Sequence, residues 1–186
     1  MIKITYFVHG TTIDNKKNLC TGWAGGELST LGIEQAKELG EIVTLPTGRQ
    51  EEQKFDALFC SDLKRAVDSA ELGFANKYEI IQDKRLRECN YGDFNQANEK
   101  NVNYKEHITL PFPNGESLED VEKRIKEFLM YLKENYNNKH IAIIAHKAPQ
   151  LALKVLLDNK TWEEAIDEDW RHTKSWQPGW EYIIKD

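Results

Sequence analysis

An α/β fold, layered α/β/α around a mostly parallel central sheet, follows from three observations on this sequence. Strand-length apolar runs alternate with segments of helical period. Two of those runs, IKITYFVHG and HIAIIAHK, close on a histidine, and none of the runs approaches the length of a membrane span. Parallel strands present their carboxyl ends to a common crevice, so His9 and His146, far apart in the chain, are expected to meet at one site.

Taken in order, the first strand is ITYFV. The second is FDALFC at 55–60, the third YEIIQ at 78–82, the fourth HIAIIA at 140–145 and the last WEYIIK at 180–185. Between the first two, Thr30 to Val43 carries Ile33, Ala36, Leu39, Gly40 and Val43 at helical spacing, and the polar stretch TLPTGRQEEQ ends that helix. The next helix starts at Ser61 or Asp62, with Ser61 as its cap and Leu63, Ala66, Val67 and Ala70 as its apolar face. Ser117 and Asp120 have the spacing of a capping box. They precede a helix whose inward stripe is Leu118, Val121, Ile125, Phe128, Leu129 and Leu132. A fourth helix, at 148–157, carries Leu151, Leu153, Val155 and Leu156. The stretch between Tyr91 and Ser117 has no period and is rich in Asn, aromatics and Pro. It is read as a lid or cap insertion at 92–116 within a single domain spanning 1–186. Gly115 and Glu116 belong to the turn before the long helix, and His107 carries no assignment.

Composition bounds the function. With 186 residues, 40% hydrophobic and 30% charged, the chain can bury a substantial core. A formal charge of -6 and the lack of a basic run argue against nucleic acid as a partner, and no signal-like or membrane-length segment is present, so a cytoplasmic protein is expected. Cys20, Cys60 and Cys89 are odd in number and form no CxxC pair. They are read as reduced thiols, Cys60 as a small buried hydrophobe, with no zinc motif. The tryptophans at 162, 170, 176 and 180 are read as packing.

The residues near the two histidines suit an anion. In VHGTTIDN, Gly10 allows a tight turn or close approach to a ligand, Thr11 and Thr12 supply hydroxyls, and Asn15 supplies an amide. Arg65 falls in the first turn of a helix, where free amides and the dipole already favour an anion that a guanidinium can clasp. Glu88, just past a strand, is placed either to donate a proton to a leaving group or to serve as an ordinary surface carboxylate.

The pieces VHGTT, TGWAGGELSTLGIEQA, FCSDLKRAVDSAE, RLRECNYGDF, PNGESLEDVEKRI and IAIIAHK, in this order, resemble the histidine phosphatase superfamily, the phosphoglycerate mutase-like phosphohydrolases. The resemblance implies a phosphatase that needs no metal and no cofactor and acts on a small phosphorylated substrate. It makes His9 the residue that becomes phosphorylated, Arg65 and His146 phosphate ligands, and Glu88 the proton donor. Asn15 then lines the pocket, Tyr91 lies near the substrate, and the excursion after Tyr91 shapes substrate choice. The implied pH optimum is acidic to near neutral. Two positions depart from the pattern. The family's RHG motif has arginine where this chain has Val8, and its SHG motif has glycine where this chain has Lys147. A lysine in solvent at a helix start is the preferred reading of Lys147; the rival is that it turns inward, binds substrate and restores the lost charge. Val8 also motivates an alternative, a binding module that holds a phosphorylated ligand without turnover. A mutase is disfavoured because mutase-type members follow the glutamate with arginine, where this chain has Cys89. Oligomeric state stays open, a homodimer being one outcome.

Overall fold

The runs read as strands form one five-stranded sheet. The computed structural model describes residues 1–44, 54–173 and 179–185. Within them lie β1 (Ile2–Val8), β2 (Ala57–Cys60), β3 (Ile80–Gln82), β4 (His140–Ala145) and β5 (Trp180–Ile184), in the spatial order β3-β2-β4-β1-β5. Pairings β2 with β3, β2 with β4, and β1 with β4 are parallel, whereas β5 runs antiparallel along the edge of β1. HIAIIA is apolar almost throughout because β4 is covered on both faces, as a central parallel strand must be.

Seven helices are described: α1 (Ile13–Lys16), α2 (Thr30–Thr44), α3 (Lys64–Phe74), α4 (Leu118–Asn135), α5 (Lys147–Asp158), α6 (Trp162–Asp167) and α7 (Trp170–Thr173). Alternation along β4 sends Ile141, Ile143 and Ala145 to one core, with α4, α5 and α6. Ala142 and Ile144 go to the other, with Phe7, Leu58 and residues of α2 and α3. The result is the three-layer α/β/α arrangement.

The long helix α4 follows its sequence pattern closely. Ser117 and Asp120 exchange the reciprocal capping-box bonds, and all six residues of the predicted stripe are buried. Other elements depart from expectation. Helix α3 begins at Lys64 with Leu63 at its N-cap and no side-chain cap; the Ser61 hydroxyl instead accepts from the Leu63 amide at 3.2 Å. Ile33 is 37% exposed because it lies on the outer side of α2. Residues 45–53 and Trp176 lie outside the described residues. The excursion is built from short 3-10 turns (Gly92–Phe94, Glu99–Asn101, Tyr104–His107) around its own aromatics: Tyr91 packs edge-on to Tyr104 and Phe112, and His107 stacks on Phe112. Cys20, Cys60 and Cys89 are buried and unpaired, and burial pushes the Cys60 thiol up to about 12, as fits an inert apolar filler. Among the described residues no helix is long and apolar enough to cross a membrane.

Helices α2 and α3 meet through glycine. A Cβ on Gly40 would lie 2.0 Å from the carbonyl oxygen of Gly73, a backbone atom that cannot swing aside. Alanine at position 40 gains about 1 kcal/mol in helix propensity, but forcing the helices apart costs about 1–3 kcal/mol or more. The expected outcome for Gly40→Ala is a net loss of stability, read as a lower urea midpoint at unchanged m-value; an unchanged midpoint would mean the two backbones are not in contact.

Candidate active site

Sheet register decides where the site lies. Val8 pairs with Ala145, the last residues of β1 and β4, so His9 and His146 leave neighbouring parallel strands at the same edge. The His9 amide extends the pairing to the Ala145 carbonyl at 3.1 Å, and the two ring centroids are 5.0 Å apart. On the other side of β4, β2 ends with Cys60 opposite Ile144, and the first turn of α3 then carries Arg65 back over the same edge. Three residues from three segments thus converge: the Arg65 Nε donates to His9 Nε2 at 3.3 Å.

Hydrogen bonding fixes the form of His9. The Gly10 carbonyl, 2.8 Å from Nδ1, can only accept, so Nδ1 carries the proton and Nε2 presents its lone pair. Burial, then the Arg65 charge, lowers the His9 pKa to about 3. His146 is fully buried, and neither ring nitrogen finds a hydrogen-bond partner among the described residues. Burial, then Arg65 and His9, holds its pKa well below the usual histidine range. Arg65 is 2% exposed. Its Nη2 donates to the Gly22 carbonyl at 2.7 Å and its Nη1 to the Ala24 carbonyl at 3.3 Å, so its partners are neutral, and burial pushes its pKa down from the usual guanidinium value.

Glu88 closes the opposite wall. Its Oε1 accepts from the amides of Cys89 and Ala148, both at 2.9 Å, and its Oε2 from the Lys147 amide at 3.1 Å, which seats the carboxylate on the N-terminus of α5. A cavity of about 280 Å3 is lined by His9, Arg65, Glu88, Asn15, Tyr91 and Lys147, among others. The His146 ring, 5.0 Å from that of His9, is not itself among the lining residues. Asn15 commits its carboxamide oxygen to the Thr12 amide at 3.0 Å, leaving its NH2 as its donor.

Two expectations need correction. Gly10 does not line this cavity: its amide donates to the Ser69 hydroxyl at 3.0 Å. Its lack of a side chain serves packing, since a Cβ there would meet the Gly32 carbonyl oxygen at 2.3 Å. Gly10 lines only the adjoining hollow, and its carbonyl orients His9. Lys147 is not a lysine in open solvent. Its side chain is 11% exposed, with Nζ 3.9 Å from the centre of the Tyr104 ring and 3.5 Å from Glu99, both in the excursion. Sequence reasoning passed over Trp170 and Arg171, which line the cavity from the C-terminal stretch read as packing. Among the described residues no group of three or more His, Cys, Asp or Glu side chains is arranged to hold a metal ion.

Both imidazoles are held neutral in the fold, with pKa values below the ordinary 6.5, so below about pH 6.5 the unfolded chain binds more protons than the folded one. The contribution of the two histidines to stability is complete above that pH and is lost progressively as pH falls below it. Urea unfolding between about pH 7 and 5 is expected to show a shallower pH dependence in His146→Ala than in the parent chain. Equal slopes would mean that His146 is free to take a proton in the folded state.

Comparison with known proteins gives the family and the fold. Residues 6–176 match the histidine phosphatase superfamily (branch 1). A 2,3-bisphosphoglycerate-dependent phosphoglycerate mutase of Rhizobium meliloti is 31% identical, across 85% of this chain and 80% of its own length. The vanadate-type (VO3) complex of a mycobacterial glucosyl-3-phosphoglycerate phosphatase superposes with a TM-score of 0.74 at 26% identity, covering 88% of this chain and 86% of that one. The alpha-ribazole phosphatase of Shigella flexneri does so with a TM-score of 0.72 at 25% identity, covering 89% and 84%. With a match over nearly its whole length and the two strand-end histidines side by side, this chain belongs to the histidine phosphatase superfamily.

Proposed function

We propose that this protein is a phosphatase that hydrolyses a phosphate monoester through a phosphohistidine on His9, with no metal in the step. One observation carries the reading: a buried guanidinium with only neutral partners lies against a neutral imidazole whose Nε2 lone pair is directed at it. A buried cation of this kind favours a bound anion, and the imidazole beside it can serve as a nucleophile.

In the first step, Nε2 of His9 attacks phosphorus in line with the ester oxygen, and the P–O bond to the leaving group breaks. Arg65 balances charge on the equatorial oxygens, and the buried His146 offers them its unpartnered N–H. Glu88 delivers the proton that the departing oxygen takes up. Oε1 already accepts two amides and Oε2 only one, so Oε2 is the oxygen with a lone pair left to carry that proton. In the second step the carboxylate takes a proton from water, which attacks phosphohistidine and releases inorganic phosphate. His9 stays neutral down to about pH 3, so the acidic limb of the rate profile is not set by the nucleophile.

A phosphatase is favoured over a mutase on Cys89, whose thiol is buried and supplies no cation beside Glu88. The mutase relatives and phosphatase neighbours share the fold, so this difference lies in the site. Tyr91, Tyr104, Glu99 and Lys147 form the wall on the leaving-group side, and the substrate is read as a small organic phosphate whose organic part meets them. Three unpaired thiols fit work in the reducing cytoplasm.

His9→Ala is expected to abolish phosphate release from an aryl phosphate, and rapid acid-free quench with labelled substrate should trap a base-stable, acid-labile phosphoenzyme in the parent chain only. Glu88→Gln, which keeps an acceptor for the amides but no transferable proton, should slow turnover about 10²–10⁴-fold. With an activated aryl ester, whose leaving group needs little protonation, it should accumulate phosphohistidine. Turnover by His9→Ala, or binding of phosphate by the parent chain with no turnover, would defeat the phosphatase reading, and the latter would favour a binding module.

A further inference from the structure

Position 8 is where the family's motif has an arginine, and here it is a valine at the end of β1. Among the described residues, Arg65 is the guanidinium that hydrogen-bonds to His9. Two other cations reach the cavity, and they differ in placement. Lys147 lines only the main cavity and lies over Tyr104 beside Glu99, on the side of the excursion. Arg171 lies where the main cavity and the adjoining hollow share a wall, together with Val8, His9 and Thr11.

Arg171 is also held in place. Its Nη1 donates to Oδ1 of Asp169 at 2.8 Å, and its backbone amide donates to the same oxygen at 3.2 Å. Asp169 is fully buried, and a buried carboxylate fixes its partner far better than an exposed one. The guanidinium also lies 4.4 Å from the centre of the Trp170 ring, which stacks on Trp180 of β5 at 5.2 Å. Among the described residues, the hydrogen bonds of this side chain, to Asp169 and to Gln150 at 3.5 Å, run through Nη1. The Nε and Nη2 edge of the planar group is the fork that suits two oxygens of a tetrahedral anion.

We propose that Arg171 is the second phosphate-binding guanidinium of this site, brought in from the C-terminal stretch to the place that Val8 leaves without charge. This deepens the phosphatase reading and rests on it for the turnover part of the test. The charge of Arg171 is among the influences that lower the pKa of both His9 and His146, as expected of a cation facing the same space. Asp169 is a positioning residue: its second oxygen lies 3.7 Å from Lys147 Nζ, so one buried carboxylate stands between the two cations and directs them to different ends of the cavity.

The test moves the charge back. Arg171→Met is expected to weaken inorganic phosphate, titrated calorimetrically, and to lower kcat/KM for an aryl phosphate, each about ten to a hundredfold. Val8→Arg in the Arg171→Met background should recover about tenfold or more of both, a rescue that a merely structural Arg171 would not give. Because Arg171→Met leaves Asp169 without its partner, Arg171→Lys is the control for folding. It keeps a cation for Asp169, loses the fork, and should lie between the parent and Arg171→Met. Unchanged phosphate affinity in a folded Arg171→Met or Arg171→Lys chain, or a double variant that recovers neither quantity, overturns the proposal. Phosphate binding by the parent without turnover ends the phosphatase reading but leaves the Arg171 comparison readable; no phosphate binding by the parent ends both.

Discussion

The interaction on which the rest of the site depends is the burial of Arg65 with neutral hydrogen-bond partners among the described residues. A guanidinium at 2% exposure, bonded to two carbonyls and an imidazole, keeps its charge only because those dipoles replace part of its lost hydration. Its field then reaches both histidines. Protonating either would set a second buried cation beside the first, so His9 and His146 stay neutral, and neutrality is what leaves a lone pair on His9 Nε2. One buried charge with neutral hydrogen-bond partners therefore favours an anion and, on the phosphatase reading, keeps the proposed nucleophile competent.

The frame holding these groups is stiff, and the reason is visible in its bonds. The Tyr6 hydroxyl, rising from β1, donates to the His146 carbonyl at 2.7 Å and accepts from the His146 amide at 2.9 Å, tying the start of α5 to the neighbouring strand. Arg124 of α4 donates to the Arg85 carbonyl at 2.6 Å, to the Glu88 carbonyl at 2.9 Å and to Glu116, so the long helix braces the backbone that carries Glu88. Trp23 donates to the same Glu88 carbonyl at 2.7 Å. Glu88, the proposed proton donor, thus has a fixed backbone, and three amides hold its carboxylate.

The sheet and the meeting of His9, Arg65 and His146 were legible because they follow from pattern. A nearly continuous apolar run such as HIAIIA survives only in a doubly covered parallel strand, and in-register parallel strands deliver their next residues to one edge. What could not be read depends on contacts between distant segments. Lys147 turns inward because Tyr104 and Glu99, more than forty positions away, accept it. The role of Gly10 is set by Gly32, and that of Arg171 by a buried Asp169 within a stretch whose tryptophans read as packing. Ser61 is a good cap by type, yet the chain stays extended through Leu63 and α3 starts beyond its reach.

The buried polar atoms without a hydrogen-bond partner among the described residues cluster around this site. They are both ring nitrogens of His146, the Thr21 hydroxyl, the Gln150 amide and one oxygen of Asp169. Thr21 lines the cavity, and Gln150 and Asp169 lie directly behind Arg171. Each such group costs about 1–3 kcal/mol, a burden that a well-packed three-layer core can carry and a surface cannot use. A tetrahedral anion accepting from His146 would remove part of that cost on binding. On the phosphatase reading, part of the affinity for such an anion would then come from relief within the protein itself.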